Sequence, residues 1–320
     1  MRVLIKKDAI ESSDHWTLID RILQRIEDGA HEWHMSDPEP FEETDWLKQI
    51  RGVHRSLFEG AAKKSAYPNQ TVHMKSLIIS SNPADDEMLP GAAATFLDRP
   101  LYVLMENKFT DGILLDCALN FLGGEELISF FKNRPYKLIE YVSAGGNGEI
   151  PKHVQDHLDQ SKKLGVPARF VVFTDSDGKF HGDVNREADL IKEICTQNNI
   201  PFCVLQKRAI ENYIPDEVFL AWRSKIENSS YTNFIDKLLG LSPEQRDFFP
   251  LKSGFREKSV HLPLYENIDE QGKKILAHNL GKNLINWLDD HKNVISSDAL
   301  RRRDQGGDLE LIIKIINNEI

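Results

Sequence analysis

Cysteine is scarce in this chain and stands in no arrangement that binds metal or bridges segments. Cys117, Cys195 and Cys203 lie singly in apolar or mixed segments, so neither a CxxC zinc site nor a disulfide framework is available. A reducing cytoplasm is the expected setting. Long apolar runs are missing too: none approaches the roughly 20 residues a membrane helix needs, and Met1 to Asp8 brings charge at once where a signal peptide would be apolar. A cytoplasmic protein without membrane association is expected. Positive charge is not in excess: the formal net charge of -10 argues against non-specific coating of nucleic acid. It does not exclude an enzyme acting on nucleic acid, because an acidic metal site adds negative charge by itself and local basic patches can guide a polyanion to it. No GxxxxGKS/T loop is present, so a nucleotide-driven motor has to be a separate protein. Internal repeats and long low-complexity tracts are absent as well.

What is there is enough chain, 320 residues, for two domains or one domain with helical additions. Residues 1–99 read as an α/β or mixed region of no assigned role. Val3 to Ile5 suits a strand, Trp16 to Ile26 a helix capped from Ser12, Ser13 or Asp14, Asp37 to Glu43 a loop, and Thr71 to Ile79 a further strand.

From Leu101 strands alternate with helices, the sign of a parallel sheet covered on both faces. The strands are Leu101 to Met105, Leu138 to Val142, Ala168 to Thr174 and Pro201 to Leu205; the helices run from Asp111 to Leu122, Ile150 to Leu164 and Asn185 to Gln197. Right-handed crossovers place all the carboxyl strand ends on one edge. Residues 100–215 therefore form an α/β domain with a four-stranded parallel sheet. Residues 216–320 read as helical, with candidates at Asp216 to Ile226, Thr232 to Leu239, Gly272 to Trp287 and Leu309 to Ile316, suited to assembly or substrate presentation.

Acids stand at two of those strand ends. Glu106 follows the first strand, and Asp175 and Asp177 follow the third. Carboxylates leaving parallel strands converge even when distant in sequence, and oxygen-only ligation favours Mg2+ or Mn2+. Gly178 is expected to permit the turn that aims both aspartates one way. Taken alone, each acid also fits a polar loop after a buried strand.

Two stretches, LYVLMENKFTD (Leu101 to Asp111) and VVFTDSDG (Val171 to Gly178), resemble the first and second motifs of the Toprim domain, the metal-binding module of topoisomerases, primases and OLD-family nucleases. Between them VSAGGNGEI resembles the glycine-containing turn after the second strand. Beyond them LQKRAIENYIP looks like the closing segment of OLD-like and phage-defence Toprim proteins. The resemblance covers about a third of the chain. Asn107 stands where a glycine commonly follows the glutamate, and Asp111 falls one position later than the aspartate usual in OLD-like nucleases. The resemblance implies Mg2+-dependent phosphodiester chemistry, with Glu106, Asp175 and Asp177 holding one or two metals. Three scattered cysteines cannot build a primase zinc module, and the chain has no room for a topoisomerase cleavage domain, which leaves a nuclease. Similarity to the effector of PARIS-type anti-phage systems implies a nucleic acid substrate, DNA or RNA including tRNA, a partner ATPase, and a possible homo-oligomer.

Other residues have two readings each. Asp111 is a metal ligand or a helix cap. Glu211 is a further ligand, or a surface glutamate paired with Lys207 or Arg208. Lys207, Arg208 and Lys108 hold a phosphate or are simply solvated. Gly145, Gly146 and Gly148 admit a phosphate to backbone amides or only make a tight turn. His153 with His157, and His31 with His34, lack a third metal ligand. Arg301 to Arg303 touch nucleic acid or form ordinary surface charge. A calcium loop from Asp175 fails because Phe180 and Arg186 occupy its glycine and glutamate positions. A haloacid-dehalogenase-type phosphatase shares Asp-x-Asp-Gly but leaves Glu106 unexplained, and a non-catalytic metal-binding sensor is the alternative from another class.

Overall fold

A computed structural model describes residues 1–50, 52–66, 75–125, 127–128, 138–183, 185–256, 260, 262–278, 280–281 and 284–320. It is α/β, with two four-stranded, wholly parallel sheets.

The amino-terminal region, expected to be α/β or mixed, is α/β. Strands β1 (Arg2–Ile5), β2 (Glu32–Trp33), β3 (Ser76–Ile79) and β4 (Glu87–Met88) lie in the order β2-β1-β3-β4. Helices α1 (Trp16–Glu27), α2 (Gly52–Ser65) and α3 (Pro90–Leu97) surround them. In α1, Ile19, Ile22, Leu23 and Ile26 recur at helical spacing and are all buried. Its N-cap is His15 after a 3-10 turn, so none of the three expected capping side chains serves. The expected loop at Asp37 to Glu43 contains a one-turn helix, Glu39–Glu42, with Pro38 at its N-cap and Pro40 in the first turn, where a missing N–H forfeits no helical bond. Of the strand expected from Thr71, Ser76–Ile79 is a strand and residues 71–74 lie outside the described residues.

The second sheet holds β5 (Leu101–Met105), β6 (Ile139–Ser143), β7 (Phe170–Thr174) and β8 (Phe202–Val204), ordered β6-β5-β7-β8. Its side chains alternate between two cores, as period-two geometry requires. Val103, Met105, Val171 and Phe173 face one core, which α4 (Asp111–Leu122) and the carboxy-terminal helices fill. Leu104, Phe170 and Val172 face the other, under α5 (Ile150–Leu164) and α6 (Arg186–Gln197). The carboxy-terminal region, including α7 (Asp216–Arg223), α8 (Ser229–Leu239) and α9 (Asp308–Glu319), thus shares its core with this sheet. The single helix expected from Gly272 to Trp287 is instead Glu270–Leu276 followed by short turns at Leu284–Asn286 and Trp287–Asp290, with Gly281 at positive φ between them.

Chain connections leave β5 and β7 in opposite directions, one to β6 and the other to β8, although the two strands are hydrogen-bonded neighbours. Such a switch point opens a crevice beyond the carboxyl strand ends, where ligands of parallel α/β sheets bind. Among the described residues no helix is long and apolar enough to cross a membrane.

Candidate metal centre

Glu106 and Asp175 are the residues that leave β5 and β7, so the switch point brings these two acids to one edge. Their loops are fixed by hydrogen bonds. After β5, the Asp111 carboxylate accepts from the backbone N–H of Asn107 (2.9 Å) and the hydroxyl of Thr110 (2.9 Å), while Ser143 Oγ accepts from the N–H of Lys108 (2.8 Å). Asp111 opens α4 but its N-cap is Thr110; the Asp111 side chain closes the turn behind Glu106 rather than capping the helix. After β7, the N–H of Ile210 donates to Asp175 Oδ1 (3.0 Å) and the Asn147 amide donates to Asp177 Oδ2 (3.1 Å). Asn147 is itself held by the Thr174 hydroxyl (2.6 Å), which gives the glycine turn after β6 a positioning role.

The left-handed residue of that loop is Asp177, with φ 51°, and not Gly178. Asp tolerates this region better than most residues. Gly178 is required for another reason: a Cβ there would stand 2.4 Å from the carbonyl oxygen of Asp183.

Glu211 joins the group from the 3-10 turn Ile210–Tyr213. It is 1% exposed, so the reading as a surface glutamate does not hold. Lys252 Nζ lies 3.0 Å from its Oε1 as an ion pair, and apart from that contact the Glu211 side-chain oxygens have no hydrogen-bond partner among the described residues. Burying a carboxylate this way is costly.

Electrostatics tie the group together. Burial, then Glu211 and Asp111, holds the Asp175 carboxyl well above the usual carboxylate range. Burial with Asp111 and Asp177 raises Glu106. Burial also raises Asp111 and Glu211, both opposed by Lys252. Although burial works against its charge, Glu211, Asp175 and Glu106 hold the Lys252 ammonium above its ordinary range. Five acids and one lysine therefore share a region. Among the described residues, however, no three His, Cys, Asp or Glu side chains converge closely enough to hold a metal ion. The donor chemistry fits a hard cation, but the side chains as placed do not assemble a complete ligand set, and Lys252 pairs with one of the acids.

Lys207 is not part of this group. Its ammonium is buried against Asp247 (2.6 Å), the carbonyl of Arg303 and the ring of Tyr213 (5.2 Å), where burial pushes it down to about 8. Lys207 and Glu211 are only four positions apart, but the backbone turns between them. Arg208 is buried and its carbonyl accepts from the N–H of Asp177 (3.0 Å), a scaffold contact. His157 packs between Tyr102 and Phe170 (both 5.2 Å), and His31 lies in the core against the Leu97 carbonyl. The arginine run is paired within the chain, Arg301 to Glu310, Arg302 to Glu217 and Arg303 to Asp247.

Sequence reasoning missed Lys252, which no local pattern marks. It is delivered by Asn212, whose amide donates to the carbonyls of Arg246 (2.8 Å) and Phe249 (2.9 Å) and whose Oδ1 accepts from the N–H of Ala209 (3.1 Å). This staples the segment before Lys252 onto the turn that carries Glu211. Asn212→Ala would strand these buried groups and is expected to cost about 2 kcal/mol; urea unfolding measures it, and an unchanged midpoint would show the staple to be dispensable.

Compared with known proteins, the chain matches no family model, no curated protein and no solved structure.

Proposed function

We propose that the chain is a Mg2+- or Mn2+-dependent Toprim-like nuclease that hydrolyses phosphodiester bonds in DNA or RNA, tRNA included. The observation that carries this reading is the pair Glu106 and Asp175 at a switch point between parallel strands, with the buried carboxylate of Glu211 beside them. Glu106, Asp175 and Asp177 would hold the metal, joined by Glu211, while Asp111 shapes the loop. A bound divalent cation there supplies the charge that relieves the repulsion and polarises water or a phosphate oxygen. The chain's own groups do the positioning: the Asn147 amide orients Asp177, the Ile210 N–H orients Asp175, and the exposed Lys108 and Lys252 offer charge to a phosphate. The reading extends to an anti-phage effector released or activated by a partner ATPase.

A non-catalytic metal-binding or interaction module is the second reading, favoured by the Lys252 ammonium, which already neutralises part of the acidic charge. A phosphatase reading would leave Glu106 and Glu211 without a role.

Purified protein, alone and with a candidate partner ATPase, is to be incubated with DNA, structured RNA and tRNA in Mg2+ or Mn2+. Cleavage that chelation removes is the expected result. Inertness towards every substrate with the partner present would end the nuclease reading, and metal binding without cleavage would favour the module.

A further inference from the structure

The two acid-bearing loops share a feature that metal binding does not use: each carries a Lys-Phe pair just beyond its acids, Lys108-Phe109 after Glu106 and Lys179-Phe180 after Asp177. Phe109 is 74% exposed, the most exposed large apolar side chain among the described residues, and Phe180 is 38% exposed. Water contact on that scale is unfavourable for a phenyl ring. It is not the result of a loose loop. The N–H of Phe109 donates to Asn107 Oδ1 (2.9 Å), and the neighbouring N–H groups of Lys108 and Asp111 are also bonded, so the backbone presents the ring outward. Lys108 Nζ lies 5.3 Å from the ring centroid. The second loop is pinned likewise, the Lys179 N–H donating to Asp183 Oδ2 (2.9 Å) and the Asp183 N–H to the Phe180 carbonyl (3.0 Å).

An exposed aromatic next to a lysine has the chemistry to receive a base on its face and a phosphate on the ammonium. In a duplex the base faces are already stacked on one another; in a single strand they are available, and each stacked base contributes about 1–3 kcal/mol. Building on the nuclease reading, we propose that Phe109, with Lys108 beside it, is a base-stacking platform next to the acids, and that the substrate is single-stranded nucleic acid or an unpaired loop.

The test uses single-stranded DNA and RNA oligonucleotides carrying 2-aminopurine, with matched duplexes, in Ca2+ to hold back cleavage. Quenching of 2-aminopurine on binding, tighter binding of single strand than duplex, about 5- to 100-fold weaker binding by Phe109→Ala, and recovery in Phe109→Trp are the expected results. The exposure of Phe109 means that its truncation should leave the melting temperature unchanged. Wild-type protein that binds and cleaves while Phe109→Ala matches it, or that prefers duplex, overturns the platform and leaves the nuclease reading standing. Wild-type protein that neither binds nor cleaves any nucleic acid removes that reading and this one with it.

Discussion

Asp175→Asn is expected to reduce metal-dependent cleavage by about 10³-fold or more, since losing a ligand forfeits several kcal/mol of charge stabilisation, while the metal-free protein becomes more stable. Asn retains an oxygen for the Ile210 N–H, so the fold keeps that hydrogen bond. What it removes is a buried negative charge among Glu211, Asp111 and Asp177. The same physics sets a pH dependence. Burial and like charge raise Asp175, Glu211, Glu106 and Asp111 in the folded chain above their ordinary values of 3.8 for Asp and 4.5 for Glu. Their contribution to stability is therefore complete below those values and is lost as pH rises through the raised ones. Thermal melts in chelator between about pH 5 and about pH 8 should show wild type losing stability relative to Asp175→Asn, with Mg2+ restoring wild type most at the alkaline end. A variant that melts lower than wild type across this range would show that Asp175 is not under repulsion.

Lys252→Met is expected to act in the opposite direction on the metal-free protein. Glu211 is 1% exposed and Lys252 is the cation paired with it, so removing the ammonium leaves a buried charge uncompensated. Because the lysine is half-exposed, the cost falls below that of breaking a fully buried pair, at about 2–3 kcal/mol. Relief should come from a divalent cation. The rise in melting temperature on adding Mn2+ should exceed that of wild type, and Mn2+ affinity measured by electron paramagnetic resonance should increase. Weaker Mn2+ binding in the variant would mean that Lys252 supports the occupied site instead of competing for it.

Much of the second sheet was legible because its strands are apolar runs of ordinary length separated by amphipathic helices, and the acids sit where those runs stop. Leu101–Met105 ending at Glu106 and Phe170–Thr174 ending at Asp175 are local patterns that burial on both faces enforces. The first sheet was legible only in part: Val3 to Ile5 and the end of Thr71 to Ile79 fall on its strands, but Glu32–Trp33 and Glu87–Met88 are two residues each, too short for any period, and gain strand geometry only from their neighbours. In the sequence Asp111 fits ligand and cap equally, because both need an acid at a helix start, and only the bond from the Asn107 N–H distinguishes a third role.

The sequence by itself determined the α/β alternation from Leu101 to Tyr213, the acids at its strand ends and the burial pattern that makes those ends meet at one edge, since these follow from side-chain period and backbone hydrogen bonding within short segments. Tertiary structure decided what shares the site. Lys207 faces Asp247 while Glu211, four residues on, faces the acids; Asn147 reaches from the turn after β6 to hold Asp177; and Asn212 brings Lys252 from the carboxy-terminal region to Glu211. Each of these joins groups far apart along the chain, and such contacts are fixed by the packing of whole elements, which no local pattern encodes.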